Sequence, residues 1–355
     1  MSGDLRSDPT REGARILTIC NACRYCEGFC AVFPALERRA NFDTADLNYL
    51  ANLCHNCAEC YYACQYAPPH EFAVNVPKTL AEIRVQSYRQ YARPKALGGL
   101  FGRGGLTAGL ILVVSAALWI AFSKPGVDAQ FYSVISHRTM VALFGAGSVL
   151  VLGALLGGFL AFWRESGQGR ANFSAVSQAM NDALQLTYLH GGGPGCTYPQ
   201  EQRSLARWWF HHLTFYGFLL CFAATLVASV YHYAFGWRAP YGYFSAPVVL
   251  GTVGGIGLLV GPAGLFLYKK RQDTATRDAN QDGMDLAFIA LLFFTSATGL
   301  LLLGFRESSA MPWLLAVHLA AVSTLFLTLP YGKFVHGIYR FTALVRYALE
   351  QRRGE

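Results

Sequence analysis

Six apolar stretches, residues 106–122, 139–163, 211–235, 246–268, 286–305 and 311–331, occupy most of the chain after residue 100. A bilayer core about 30 Å thick is crossed by a helix of roughly 20 apolar residues, so each stretch predicts one crossing. Inside lipid the backbone must satisfy its own hydrogen bonds, and a helix does so within one segment. The first stretch is the shortest, but GlyGlyLeuThrAla before it and AlaPheSer after it extend the helix. The last is expected to continue toward Phe341. Composition agrees: 53% of residues are hydrophobic and only 14% charged, against about a quarter charged in soluble domains. A conventional soluble enzyme, a disordered chain, a collagen and a secreted disulfide scaffold are excluded.

The charge is unevenly placed. Residues 1–95 hold 21 of the 50 charged side chains and eight of the ten cysteines. We therefore divide the chain into a small cysteine-dense domain, 1–95, and a membrane bundle, 96–355. Nearly all of the net charge of +8 comes from the apolar part, in the gaps between its runs. A nucleic-acid binder would gather such charge on one exposed face. No basic start followed by an apolar run occurs in the first 100 residues, so no signal peptide is expected. With the amino terminus inside, the inner segments after Lys95 hold 14 Lys and Arg and the outer loops four. That bias predicts a multi-pass protein of a bacterial-type inner (cytoplasmic) membrane with both termini in the cytoplasm.

The eight early cysteines form two copies of one spacing. Cys20, Cys23, Cys26 and Cys30 follow C-x2-C-x2-C-x3-C with Pro34 beyond, and Cys54, Cys57, Cys60 and Cys64 repeat it with Pro68 beyond. In such runs three thiolates hold one cubane and the fourth ligates the other. The first [4Fe–4S] cluster is thus assigned Cys20, Cys23, Cys26 and Cys64, and the second Cys54, Cys57, Cys60 and Cys30. Disulfides are disfavoured where thiols stay reduced, and zinc needs only four ligands, usually as two separated pairs. Between the runs, Asp43 or Thr44 caps a helix carrying Leu47, Leu50 and Leu53 at helical spacing, which makes this an α-helical ferredoxin module. His55 is expected to be a partly exposed neighbour of the cluster rather than a ligand. Residues 77–95, with Arg84, Arg89, Arg93 and Lys95, form a basic helix, either amphipathic and leading to the membrane or simply solvated.

Ionisable residues within spanning helices default to functional hypotheses. The third span has His211 and His212 at its start and His232 near its end; His318 lies near the start of the sixth, and His336 at its end. At 1.5 Å per residue these separations are about 32 and 27 Å, close to a bilayer core. The two spans run in opposite directions, so His211 or His212 shares a leaflet with His336, and His232 shares the other with His318. Two b-type haems, each between two histidines, satisfy this pattern. At 100° per residue His318 and His336 share a face, and His211 lies about 60° from His232, which favours His211 over His212. His137 is a weaker candidate, an interfacial residue or a quinone contact. His70 and His190 are assigned nothing.

The glycine-rich loop 188–199 lacks the phosphate-loop pattern, and its Cys196 is a candidate without a role. Cys221 reads as a small apolar helix residue. The small residues of 251–264 predict close packing of the fourth span, with a kink at Pro262.

With both cysteine runs, HisHisLeuThrPheTyrGlyPhe at 211–218, GlyGlyGlyProGlyCys at 191–196 and LeuProTyrGlyLysPheValHis at 329–336, the chain resembles the tricarballylate utilization protein B family, also called citrate utilization protein B. The resemblance extends from about Leu17 to Arg346. The last span is also similar to that of the respiratory nitrate reductase gamma subunit, a two-haem cytochrome b, in its Pro-x3-Phe/Leu-x-His ending. The family implies an electron-transfer protein for a separate FAD-dependent tricarballylate dehydrogenase. Electrons would leave that flavoprotein through iron–sulfur clusters and haem for the quinone pool. The expected fold is all-α, a ferredoxin module fused to a six-helix cytochrome b-like bundle. No Gly-x-Gly-x-x-Gly is present for a dinucleotide of the chain's own. Aromatic residues Trp208, Trp209, Tyr216 and Tyr331 border a quinone site or form an interfacial belt.

Three other functions compete with this one. A transporter predicts intramembrane acids and internal repeats, which the spans lack. A redox sensor needs a signalling domain, for which no length remains. An electron-transfer subunit of the same build serving another flavoprotein, for example in cofactor biosynthesis, is the serious alternative.

Overall fold

The computed structural model describes residues 8–123, 131–166, 171–190, 195–197, 199 and 201–353. Among these the architecture is all-helical, and extended backbone is confined to one bridge between Cys196 and Ser204.

The cysteine module is built from α1 (Pro9–Cys23), α2 (Val32–Leu36), α3 (Thr44–Leu53), α4 (Glu59–Tyr62) and α5 (Val76–Tyr91). Its helix starts follow local chemistry: Asp8, Asp43 and Asn75 each accept a hydrogen bond from a backbone N–H of the first turn, satisfying one of the donors that a helix start leaves open. Leu47, Leu50 and Leu53 are buried, as their spacing requires. Helix α5 departs from expectation. It is neither solvated nor a surface ramp to the membrane but runs through the module against α1 and α3, with Leu80, Ile83 and Tyr88 buried and Arg84 only 3% exposed.

Six helices are long and apolar enough to cross a membrane. They are α6 (Gly104–Phe122), α8 (His137–Ser166), α10 (Ala206–Phe235), α11 (Ala246–Lys270), α12 (Ala279–Gly304) and α13 (Met311–Thr328). Short α7 (Phe131–Val134) and α9 (Phe173–Gln185) lie between them, and α14 (Val335–Arg353) ends the chain. Several spans outrun their apolar cores toward the cysteine module. Helix α10 starts at Ala206 and so includes Arg207, and α12 starts at Ala279 and so includes Asp282 and Asp285.

The sixth apolar run does not continue to Phe341. After α13 the chain makes a tight turn, Leu329–Tyr331, passes Gly332 in extended conformation and restarts as α14. Pro330 supplies no N–H and its ring crowds the preceding turn, which ends the helix. His336 therefore belongs to α14, and the same-face argument linking it to His318 through one continuous helix does not hold.

Helices α10 and α11 meet along a glycine seam. A Cβ on Gly254 would stand 2.8 Å from the Gly217 carbonyl oxygen, and one on Gly261 would stand 2.7 Å from the Thr214 nitrogen. The close packing foreseen for residues 251–264 is observed, and α11 runs through Pro262 as one helix.

The module and the bundle share one apolar core. Leu17, Phe33 and Leu50 belong to the same buried cluster as Phe162 of α8, Ala175 of α9, Met284 of α12 and Leu344 of α14. Polar ties reinforce it. Arg39 and Arg346 both reach Asp46, at 2.7 and 3.0 Å, and both pair with Glu350, while their guanidinium groups cover the Tyr49 ring. At the end of α8, Glu165 accepts from Asn48, Gln90 and Tyr91 of the module.

Gly254→Val forces backbone apart along the seam and is expected to cost about 1–3 kcal/mol, the usual range for overpacking. Gly251→Ala, whose Cβ would meet Ala224 at 3.7 Å, should be tolerated. Thermal unfolding of the two variants in detergent checks the contrast.

Candidate functional site

The two cysteine runs fold so that their fourth members cross. One cleft is lined by Cys20, Cys23, Cys26, Cys60 and Cys64. The other is lined by Cys30, Cys54, Cys57 and Cys60. Each cleft brings together the four cysteines assigned to one set, and Cys60 lines both. Left-handed backbone at Arg24, Asn56 and Ala58 turns the runs tightly enough to bring their thiols inward. Burial, aided by the neighbouring sulfurs, pushes the thiols of Cys20, Cys26 and Cys57 up to about 12. Cys30 and Cys60 are driven well above the usual thiol range for the same reason. Ionising such a set without a cation is unfavourable, whereas a coordinated metal deprotonates a thiol outright. Among the described residues no three His, Cys, Asp or Glu side chains converge on a single metal ion. A four-sulfur zinc site would bring its ligands within about 4 Å of one another, given Zn–S bonds of about 2.3 Å. A cubane spreads its thiolates over four irons, and the donor set fits it better.

Three arginines close on the second run. Arg84 of α5 donates to the carbonyls of Ala51 (2.7 Å) and Cys54 (2.8 Å). Arg340 of α14 donates to Asn52 (3.3 Å) and Cys54 (2.6 Å). Arg207 of α10 donates to His55 and Asn56, both at 2.9 Å. Among the described residues neither Arg84 nor Arg340 has a carboxylate partner. Burial and the charge of Arg84 draw Arg340 down from the ordinary guanidinium range, and Cys54 opposes the shift. A buried cation without a counter-charge is costly, so this corner calls for negative charge, which a thiolate-ligated cluster beside Cys54 would supply.

His55 is buried rather than partly exposed. Its Nδ1 lies 3.1 Å from the Leu53 carbonyl, and burial with Arg340, Arg207 and Arg84 holds it far below the usual imidazole range. Cys196 packs against Cys57, and Thr197 donates to the Cys57 carbonyl at 3.3 Å. Residues 191–194, the glycine run of that loop, lie outside the described residues. Cys221 sits on the glycine seam beside Gly254, as a small helix residue should.

The histidines divide into an end near the module and a far end. Near the module, His211 and His336 face each other with ring centres 6.2 Å apart and planes at 78°. One metal bound by a nitrogen of each ring, at about 2 Å per bond, places the ring centres about 6 Å apart. His336 directs Nδ1 to the Lys333 carbonyl at 2.5 Å, which leaves Nε2 for a ligand, and the buried Nδ1 of His211 has no hydrogen-bond partner among the described residues. His212 turns the other way, onto Trp208 and Tyr216, with Nδ1 on the Trp208 carbonyl. At the far end His232 stacks on His137 at 4.0 Å. His318 lies beside Gly299 and meets the Thr298 hydroxyl at 3.1 Å through Nδ1. Among the described residues no ring contact joins His232 to His318.

Motif reading did not single out Arg84, Arg207 and Arg340 as a group. A signal was present: Arg207 lies one turn before His211, and Arg340 one turn after His336.

These features define a class, an all-helical protein with six membrane-length helices and a ferredoxin-like cysteine module docked on one end. A family profile described as citrate utilization protein B matches residues 91–355, and one described as the citrate utilization protein B Fer4-like domain matches residues 13–96. An Escherichia coli protein named citrate utilization protein B is 50% identical over 358 residues, covering 98% of this chain and 94% of its own length. The chain belongs to the citrate utilization protein B family. No solved structure matches it.

Arg340→Lys keeps the charge but loses the fork that spans two carbonyls. Amide hydrogen exchange at residues 54–58 should accelerate by about tenfold or more, equivalent to about 1.4 kcal/mol, while α1 is unchanged. Unaltered protection at residues 54–58 would refute the clamp.

Proposed function

We propose that this chain is a membrane-anchored electron-transfer protein of the flavoprotein:quinone type. It reoxidises the reduced FAD of a separate tricarballylate or related tricarboxylate dehydrogenase and delivers the electrons to the quinone pool. Its domains are the cytoplasmic ferredoxin module, 1–95, and the haem-binding bundle, 96–355, in a bacterial-type inner membrane with both termini inside. The observation that carries this reading is the clamp on the second cysteine run, in which two of the three arginines sit one helical turn from His211 and His336.

Cys20, Cys23, Cys26 and Cys64 would hold one [4Fe–4S] cluster, and Cys54, Cys57, Cys60 and Cys30 the other. His211 and His336 would hold one b-type haem, with His212 as the alternative to His211; His232 and His318 would hold a second. When bound, these groups supply one-electron steps between a two-electron flavin and a two-electron quinone. The chain's own residues do the rest. Arg84, Arg207 and Arg340 balance negative charge at the second cysteine set and hold it against α10 and α14. Leu50, Tyr88 and Tyr339 keep water from the junction. The Lys333 carbonyl orients His336 so that Nε2 points away from the backbone. Balance is simple: FADH2 releases two electrons and two protons, and a quinone takes up two of each.

The purified protein should carry about eight cluster irons per chain. Cys64→Ser should perturb the cluster signal of the Cys20 set, and Cys30→Ser that of the Cys54 set, as read by low-temperature EPR. Swapped or identical effects would refute the crossed assignment. His336→Ala should remove a b-type haem band from the reduced-minus-oxidised spectrum, and a colourless, zinc-loaded protein would sink the reading. Addition of a reduced tricarballylate dehydrogenase should bleach the clusters; failure with that partner but reduction by another flavoprotein would move the function to the alternative of the same build.

A further inference from the structure

A cleft at the module end of the bundle is unused by anything above. It lies between α6, α12 and the turn after α13, and is lined by apolar side chains such as Ile111, Ala287, Phe288 and Leu291. Its polar lining includes Thr107, Thr328 and Lys333. Beside it, Leu106 and Leu110 of α6 are 74% and 65% exposed on the outer face of the bundle, so the mouth opens toward lipid.

Lys333 has an unusual position. Its ammonium is mostly buried and paired with Asp285 at 2.8 Å, and Asp285 is itself held by Lys269 at 3.0 Å. An ammonium has three donors, and this ion pair engages one. The backbone carbonyl of the same residue receives Nδ1 of His336. One residue therefore touches both the cleft and a candidate haem ligand. Small-molecule sites are mostly apolar with a few placed polar groups, and this cleft has that composition where a lipid-borne ligand could enter sideways.

We propose that the cleft binds the ring of a lipid-soluble quinone, with the Lys333 ammonium donating to one quinone carbonyl and Asp285 holding that ammonium in place. This rests on the quinone-linked function proposed above and specifies where the quinone docks. The ligand class follows from the chemistry. It must be flat and apolar to lie against Phe288 and Leu291, carry an acceptor oxygen for Lys333, and reach the site from the membrane. Asp285 is a positioning residue: without it the ammonium would have no fixed direction toward the cleft. The far-end aromatic group of Tyr132, His137 and His232 is the competing location.

The test uses the full-length protein in lipid nanodiscs with a photoreactive azidonaphthoquinone bearing an isoprenyl tail, and labelled peptides are located by mass spectrometry. Label is expected at residues 104–111 of α6 and 284–291 of α12, and excess unmodified naphthoquinone should suppress it. Ala287→Phe fills the cleft and should lower labelling there by about tenfold, equivalent to about 1.4 kcal/mol, with haem and cluster absorption retained as proof of folding. Lys333→Met should weaken labelling likewise and Lys333→Arg should restore part of it. Labelling confined to the Tyr132, His137 and His232 end, with quinone still reoxidising the protein, overturns the cleft and leaves the proposed function standing. Labelling at the cleft that ignores both Ala287→Phe and Lys333→Met also overturns it. No labelling anywhere together with no reoxidation by quinone overturns both.

Discussion

The structure turns on three guanidinium groups that close over the backbone of residues 51–56. Arg84, Arg207 and Arg340 come from α5, α10 and α14, and each donates to two carbonyls of that short stretch. For Arg84 and Arg340, which have no carboxylate partner among the described residues, neutral carbonyls satisfy the N–H donors but do not cancel the charge, and buried charge without a counter-ion is strongly disfavoured. The arrangement makes sense once the neighbouring thiolates carry negative charge. It also makes the second cysteine run and the helices bearing His211 and His336 one mechanical unit.

One helix break and one close helix contact make that unit possible. Pro330 and Gly332 end the sixth span and let α14 turn onto the module, where Arg346 meets Asp46 and Arg340 meets Cys54. The glycine seam lets α10 lie close to α11 while its module-end turn reaches His55 and Asn56. A bundle of straight, well-separated helices would not present Arg207 and Arg340 to the same loop. The apolar core that runs from Leu17 through Phe162 to Leu344 then excludes water from the junction.

Local chemistry was the legible part of the sequence. The Asp43 cap, the buried Leu47, Leu50 and Leu53, and the six apolar helices all depend on spacing over a few turns, which the chain states directly. What spacing could not state was partner choice at long range. Arg84 belonged to a helix readable as amphipathic or as solvated, because its burial comes from α5 packing on α1 and α3 and from the Ala51 and Cys54 carbonyls about 30 positions away. The far-end histidine His232 meets His137 because α8 and α10 come together there, and no periodicity within one helix encodes that. The end of the sixth span was written in Pro330, but a long apolar average masked a single residue's steric effect.

The most direct test of the central claim is the magnetic coupling between the cluster proposed for the Cys54 set and the haem proposed between His211 and His336. Power-saturation EPR of the reduced cluster reads it, with the cluster produced beside ferric haem by cryoreduction of the oxidised protein and beside ferrous haem by full chemical reduction. The account predicts that the cluster relaxes faster beside the oxidised, paramagnetic haem, and that Arg340→Lys weakens the effect. Identical relaxation in both haem states would contradict a single unit joined at residues 51–56.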